Sequence, residues 1–122
     1  MSGTMIGAAQ SDITPPVGVD LCGYGGRPGP STAVHDELKA GALYVADGSR
    51  AVLLVTCDLV GLHHEDVASI RRNVASRTGV PAAHIMVSCS HTHAGPATRC
   101  VRYLGIPDED YVSRLLEALV DT

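Results

Sequence analysis

The chain has 122 residues and a formal net charge of −4, with 45% apolar residues and only 3% aromatic residues. This length and apolar content are typical of one modest globular domain and argue against a disordered chain. The charge lacks the basic excess of a nucleic-acid-binding domain, and no apolar run is long enough to span a bilayer. We therefore expect no nucleic-acid partner and no transmembrane segment.

The N-terminal residues and the cysteines bear on compartment and redox state. Residues 1–6 lack the basic and apolar segments of a signal peptide, which favours a cytoplasmic location. The four cysteines, at positions 22, 57, 89 and 100, include no Cys-x-x-Cys pair. Cys57 and Cys89 fall in apolar segments, where a free cysteine behaves as a small buried hydrophobe. We expect reduced structural cysteines rather than a disulfide or metal framework.

The first predicted strand covers residues 6–13 and ends at a pair of prolines. A long loop follows over residues 17–34, with the Gly- and Pro-rich segment 23–30 at its centre. Loops of this length in a compact domain are often functional, so the loop is either a wall of an active site or a surface excursion. It is not a phosphate loop, because no Gly-Lys-Ser/Thr follows and no helix begins there.

Two strands and a tight turn come next. The segments 38–46 and 51–57 are separated by Asp47-Gly48, which is a strong signal for a hairpin. The second segment is almost wholly apolar, as is typical of a strand covered on both faces. We expect these two strands to pair antiparallel.

A helix, a strand and a second helix complete the predicted elements. Residues 64–77 carry an apolar stripe at helical spacing, and Gly79 follows near the position that ends a helix. Residues 85–90 form the next strand, and residues 108–119 form an amphipathic helix.

The order of these elements predicts the fold class. Strand 51–57, helix 64–77 and strand 85–90 form a βαβ unit, whose crossover makes the two strands parallel. The fold class is therefore α/β, with a mixed sheet and a βαβ unit flanked by helices. We expect it to be an incomplete part of a larger two-layer or multilayer α/β domain. Ligands of open α/β sheets gather at the carboxyl ends of the parallel strands.

Two histidines follow the second parallel strand at that edge. His91 and His93 are separated by one residue, and in an extended backbone such positions point to the same side. Both imidazoles are then able to reach one zinc ion or one substrate atom. The alternative is a pair of hydrogen-bonded surface histidines.

Asp58 and His35 are further candidates. Asp58 directly follows the first parallel strand, where it either anchors the loop or orients an imidazole by accepting its N–H. His35 lies between the long loop and strand 38–46, and it is either structural or part of the site. We expect Asp58 and His91 to lie at the same sheet edge, with the carboxylate facing the histidine pair and His35 approaching it.

Other reactive residues give weaker signals. His63 and His64 begin a helix and His84 precedes a strand, so we interpret all three as structural. No Gly-x-Ser-x-Gly motif is present, which argues against a serine hydrolase. Cys89 lies near His91 but within a buried strand, which favours an inert thiol over a nucleophile.

Several motifs resemble those of the neutral/alkaline, non-lysosomal ceramidases, in the family's order. The segment 90–96 is similar to the His-Thr-His-Ser-Gly-Pro signature, with Ala in place of Ser. The Asp-Ile-Thr at 12–14, the Gly-Tyr at 23–24 and the Asp-Leu at 58–59 resemble its earlier motifs. The segment 34–43 resembles the family's Ile-His-x-Arg stretch but lacks its arginines, which indicates a ceramidase-like hydrolase branch.

The resemblance implies a zinc amidohydrolase that cleaves the amide bond of a lipid-like N-acyl substrate. In the family, the histidine corresponding to His91 is a zinc ligand, and the one corresponding to His93 contacts the substrate. The other ligands, a His, a Glu and a Tyr, come from later in the chain. We therefore expect residues 1–122 to be a truncated N-terminal portion of the catalytic domain. Family members are often secreted or membrane-associated.

The implied mechanism uses a zinc-activated water to attack the amide carbonyl. His93 then hydrogen-bonds the substrate or transfers a proton, while Asp58 or His35 orients these groups. A catalytic zinc site generally has three protein ligands, so we expect the isolated fragment to be inactive or nearly so.

Two alternatives remain. In the first, the chain is a non-catalytic α/β binding module that retains the fold without the chemistry. In the second, it is a different metallohydrolase with the same histidine spacing. Whatever the function, the open sheet edges of an incomplete domain favour self-association.

Overall fold

The computed structural model describes residues 3–122; Met1 and Ser2, the first residues of the predicted N-terminal portion, lie outside that range. Within it the chain forms a four-stranded sheet and two helices. The elements in chain order are β1 (Met5–Asp12), β2 (Lys39–Ala46), β3 (Ala51–Cys57), α1 (His64–Thr78), β4 (Ile85–Cys89) and α2 (Glu109–Asp121). The predicted α/β class and mixed sheet are confirmed, with boundaries shifted by one or two residues.

The strands lie in the sheet in the order β1-β2-β3-β4. The first three are antiparallel neighbours, and β3 and β4 are parallel. Asp47 fixes the β2–β3 turn because its carboxylate accepts the backbone N–H groups of Ser49 and Arg50. The parallel register pairs Cys57 with Cys89, so both strands end at the same sheet edge.

The two helices pack against one face of the sheet. Alternate residues of β3 point to this face, as expected for a strand. The buried residues here are apolar except for the thiol of Cys57 and the hydroxyl of Tyr111, and burial of each Leu, Ile or Val side chain contributes roughly 1.5–3 kcal/mol. They include Leu53, Val55, Cys57, Ile70, Val74, Ile85, Tyr111, Leu115 and Leu119.

Local signals set the helix ends. Gly79, with φ 76°, takes the left-handed conformation at the end of α1 and donates its N–H to Ala75. Asp108 begins α2 by accepting the N–H of Tyr111 at 2.7 Å. The Tyr111 hydroxyl donates to the carbonyl of Ile13 at 2.6 Å, which ties α2 to the segment after β1.

The opposite face of the sheet is open in the described part of the chain. Ile6, Val52 and Met86 are 70%, 51% and 61% exposed, respectively. Val52 and Met86 are next to the buried Leu53 and Ile85, so these exposed side chains lie opposite the buried set, whereas β1 is exposed along nearly all of its length. Neither α1 nor α2 has the length and apolar character that a bilayer crossing requires.

Candidate functional site

The ends of β3 and β4 bring two candidate residues to one edge of the sheet. Asp58 directly follows β3, and His91 comes two residues after β4 ends. Beyond β4, the N–H of Ser90 donates to Cys57 and the N–H of His91 donates to Leu59, both at 3.0 Å. Backbone hydrogen bonds therefore continue past the ends of β3 and β4 and hold the segments that carry Asp58 and His91 side by side, as the βαβ connection predicts.

The backbone at His91 is not extended. Its φ is 63°, in the left-handed region that non-glycine residues rarely adopt. The expectation of an extended backbone through the histidine pair is therefore wrong. The two imidazoles are nevertheless adjacent, with ring centroids 5.1 Å apart and planes 69° apart. Such a conformation costs about 1–3 kcal/mol and is often found at active sites.

A backbone carbonyl fixes the proton on the His91 ring. The Nδ1 atom lies 2.7 Å from the carbonyl oxygen of Val60. Because a carbonyl only accepts hydrogen bonds, we assign the neutral imidazole proton to Nδ1. The lone pair then lies on Nε2, in a side chain that is exposed to solvent. Metal-binding histidines have this arrangement, with the second ring nitrogen donating to a carbonyl or carboxylate.

The Gly-rich part of the long loop surrounds His93. The ring of Tyr24 meets the His93 ring edge-on, with centroids 5.2 Å apart. Arg27 donates from Nη2 to the backbone carbonyl of His93 at 3.0 Å. Its guanidinium carbon also lies 5.5 Å from the centroid of the Tyr24 ring. The imidazole of His93 itself has no hydrogen-bond partner among residues 3–122.

Gly23 makes this contact possible. A Cβ atom at this position would lie 2.5 Å from Cγ of His93 and 2.7 Å from its Cα, much closer than real side chains approach. The φ of Gly23 is also positive, at 114°. Glycine is therefore required on both steric and conformational grounds.

Backbone hydrogen bonds attach the loop to the histidine segment. Cys22 donates to the carbonyl of Gly95 at 2.9 Å, and Ala97 donates to the carbonyl of Asp20 at 2.8 Å. Leu21 and Pro96 form an antiparallel bridge between them. Of the two alternatives for this loop, the structure favours a wall of the candidate site.

Asp58 is bonded to β2. Its Oδ2 accepts the N–H of Lys39 at 3.1 Å, and its own N–H donates to the carbonyl of Lys39 at 2.9 Å. No hydrogen bond joins its carboxylate to either imidazole among residues 3–122. Asp58 thus lies at the expected edge, but its carboxylate links the end of β3 to the start of β2.

His35 lies near the histidine segment, at residues other than the two histidines. It lines a cleft of about 410 Å³ together with Thr92 and Ala94. The side chain of His35 is 96% exposed, and its Nδ1 lies 2.6 Å from the carboxylate of Asp36. The structure places His35 beside the segment without bringing it to the imidazoles of the pair.

The remaining histidines lie away from the pair. The rings of His63 and His64 are 4.8 Å apart and exposed at the start of α1. His84 approaches the carbonyl of Ala51 through Nδ1 at 3.1 Å. Across residues 3–122, no three His, Cys, Asp or Glu side chains form a group able to hold a metal ion.

Two cysteines meet beneath the candidate site. Sγ of Cys57 and Sγ of Cys89 are 3.6 Å apart, and both thiols are free. Their hydrogen bond, together with burial, raises the pKa of Cys57. The same hydrogen bond lowers the pKa of Cys89 to about 7, with smaller effects from Arg99 and His91. Either sulfur can donate in this contact, and Sγ of Cys57 also lies 3.5 Å from the carbonyl oxygen of Ser88, to which it can donate.

Sequence reasoning missed Arg27 and Tyr24 as neighbours of the histidine pair, and the carbonyl of Val60 as its anchor. Arg27 is the sole charged residue in the segment 23–30, which was a usable signal. A backbone carbonyl carries no such signal, because its direction depends on the path of the loop after β3.

Comparison with known proteins shows which solved structures share the fold of this chain. The chain matches no protein-family model and no curated protein. It is similar to neutral ceramidase from Pseudomonas aeruginosa, with a TM-score of 0.74 and 20% identity over 97% of this chain and 20% of that chain. It is also similar to a ceramidase complexed with C2, with a TM-score of 0.79 and 19% identity over 96% of this chain and 20% of that chain.

The expected likeness to neutral ceramidases is thus confirmed at the level of the fold. The chain spans about a fifth of the length of either solved structure.

Proposed function

We propose that this chain is part of a ceramidase-like zinc hydrolase that cleaves the amide bond of a lipid-like N-acyl substrate. The proposal is carried by one observation, the hydrogen bond from Nδ1 of His91 to the carbonyl of Val60. It leaves Nε2 without a partner among the described residues, in an exposed residue at the carboxyl edge of parallel strands, where ligands of α/β sheets bind. The fold shared with neutral ceramidases supports the same reaction class.

His91 fits the role of one zinc ligand. With Nδ1 held by the carbonyl of Val60, Nε2 is the ring nitrogen left for a metal ion, and Val60 holds the ring in place. Catalytic zinc sites generally have three protein ligands, and residues 3–122 contain no such group. The remaining ligands in this proposal therefore come from outside the described residues.

When bound, zinc supplies an activated water at neutral pH and polarises a carbonyl group. The residues of this chain then have distinct tasks. His93 contacts the reacting part of the substrate, since neither of its ring nitrogens has a partner among the described residues. From Nε2 or Nδ1 it donates a hydrogen bond or transfers a proton. Tyr24 and Gly23 hold the His93 ring in position.

The cleft beside the pair suits an acyl chain. Its volume of about 410 Å³ is within the range of small-molecule sites. Its lining is mainly apolar and includes Pro15, Leu21, Val34 and Leu38. In this proposal, His35 lies at the cleft and contacts substrate, whereas Asp58 supports the site through Lys39.

The test is hydrolysis of short-chain N-acyl amides by the protein from the native reading frame that contains this chain. We expect His91→Ala to lower the zinc content of the protein. We also expect it to lower kcat/KM by at least about 100-fold, as for removal of an essential catalytic group. His84→Ala is the matched control, because it removes a histidine far from the pair. Unchanged hydrolysis by the His91→Ala variant would contradict the proposal.

A non-catalytic binding module is the second candidate, and the absence of a three-ligand group within residues 3–122 favours it. This alternative predicts zinc-free protein and ligand binding that does not change with His91→Ala. Measurement of zinc content in the same two variants separates the two functions.

A further inference from the structure

Arg27 is a partly buried cation beside the candidate site whose donors are mostly unused. A guanidinium has five N–H donors. In the described part of the chain, Arg27 makes one side-chain hydrogen bond, from Nη2 to the carbonyl of His93. Its Nε is buried and has no partner there. Buried donors in proteins are rarely left in this state, so the unused donors of Arg27 require an explanation.

The contacts of Arg27 hold its charge next to the reacting groups. The guanidinium lies against the Tyr24 ring, at 5.5 Å from Cζ to the centroid. Tyr24 in turn contacts the His93 ring, which contacts His91. The cation therefore belongs to the same group of side chains as the histidine pair.

A second cation, Arg99, lies beside the loop that anchors His91. A Cβ on Gly61 would lie 3.9 Å from Cζ of Arg99, which places this guanidinium beside Gly61. Gly61 directly follows Val60, whose carbonyl anchors His91. Arg27 thus contacts the histidine pair through Tyr24 and the His93 carbonyl, whereas Arg99 lies next to the loop residue that follows Val60.

No acidic side chain neutralises these two cations within residues 3–122. The ion pairs found there are His35–Asp36, Lys39–Glu37 and Arg77–Asp121. The acidic residue at the end of β3, Asp58, accepts the backbone N–H of Lys39. The two arginines give this region a local positive charge, although the net charge of the whole chain is −4.

We infer that the site takes an N-acyl substrate that carries an anionic group, a carboxylate or a phosphate, bound by Arg27. This inference rests on the proposed function, because it assigns the class of substrate to the same site. Arginine suits the task, since its planar donors match the oxygens of either anion. A neutral amide such as a simple N-acyl amino alcohol lacks the group that these donors recognise.

Binding can be measured without turnover, which separates this inference from the proposed hydrolysis. The probes share one acyl chain: N-octanoylglycine carries a carboxylate, N-octanoyl phosphoethanolamine carries a phosphate, and N-octanoylethanolamine is neutral. Each is titrated into the ¹⁵N-labelled chain, and amide shifts of residues 23–27 and 91–95 report the affinity. Arg27→Gln removes the cation, Arg27→Lys retains the charge without the planar donors, and Arg72→Gln is the control on the exposed side of α1.

We expect at least one anionic probe to bind about tenfold or more tightly than the neutral probe, as one charge-assisted contact supplies. This preference should disappear in Arg27→Gln, persist in part in Arg27→Lys and remain intact in Arg72→Gln. The carboxylate and phosphate probes identify which anion is preferred. Equal binding of all three probes, binding of none, or an anion preference that survives in Arg27→Gln would overturn the inference. The first of these results leaves the proposed amide hydrolysis standing, because it concerns the substrate class only.

Discussion

The Nδ1 atom of His91 lies 2.7 Å from the carbonyl oxygen of Val60, and this contact fixes which ring nitrogen faces solvent. The two residues are far apart in sequence but meet because β3 and β4 are parallel and end together. His91 makes this contact from a left-handed backbone, with φ 63°. The packing of the loop after β3 against the loop after β4 thus determines which nitrogen of the His91 ring donates to the protein.

Gly23→Ala should disrupt the position of His93. The added methyl group would lie 2.5 Å from the His93 ring in a backbone with φ 114°, so the loop must move. We expect a loss of about 1–3 kcal/mol in the free energy of unfolding, as for other strained substitutions. Denaturant unfolding measures this loss. Gly25→Ala is the control, because a Cβ there meets no atom within 4 Å. Equal stability of the two variants would show that Gly23 does not pack on His93 as described.

Asp58→Ala should weaken the connection between β3 and β2. The variant leaves the N–H of Lys39 without its carboxylate partner, at a cost of about 1–3 kcal/mol. Asp58→Asn retains an oxygen acceptor and should lose less stability. Thermal unfolding of both variants measures the difference. If alanine and asparagine destabilise equally, the hydrogen bond to Lys39 is not what makes Asp58 important.

Stability should fall at high pH because of Tyr111. Burial raises the pKa of this phenol above its ordinary value, with smaller effects from Cys57 and Asp12. The unfolded chain releases the proton near pH 10, while the folded chain retains it. The stabilisation is therefore complete below about pH 10 and declines as the pH rises above that value.

Tyr111→Phe tests this dependence. It removes the hydrogen bond to Ile13 and should lower the free energy of unfolding by about 1 kcal/mol at neutral pH. The difference between the two proteins should shrink between pH 10 and pH 11. The exposed Tyr103 provides the control variant Tyr103→Phe, which should change neither quantity. A gap between wild type and Tyr111→Phe that is constant with pH would contradict the assigned burial effect.

The sequence was most informative where periodicity and topology decide the structure. The apolar stripe of α1, the Asp47-Gly48 turn and the βαβ order predicted the sheet and the common edge of Asp58 and His91. Side-chain direction was harder to predict. The left-handed backbone of His91 depends on where Leu59 and Val60 place their carbonyls, which no local pattern encodes. The carboxylate of Asp58 likewise bonds the N–H of Lys39, a partner set by the antiparallel pairing.

The protonation state of His91 tests the central claim most directly. Long-range ¹H–¹⁵N NMR of the protein from the native reading frame that contains this chain distinguishes the two imidazole tautomers, and zinc is then added in increments. We expect the Nδ1–H tautomer in the free protein and a shift of Nε2 of His91 with zinc, while Nδ1 keeps its proton. His84 provides the internal reference in the same spectra. An Nε2–H tautomer at His91, or a zinc response no larger than that of His84, would contradict the assignment of His91 as a metal ligand.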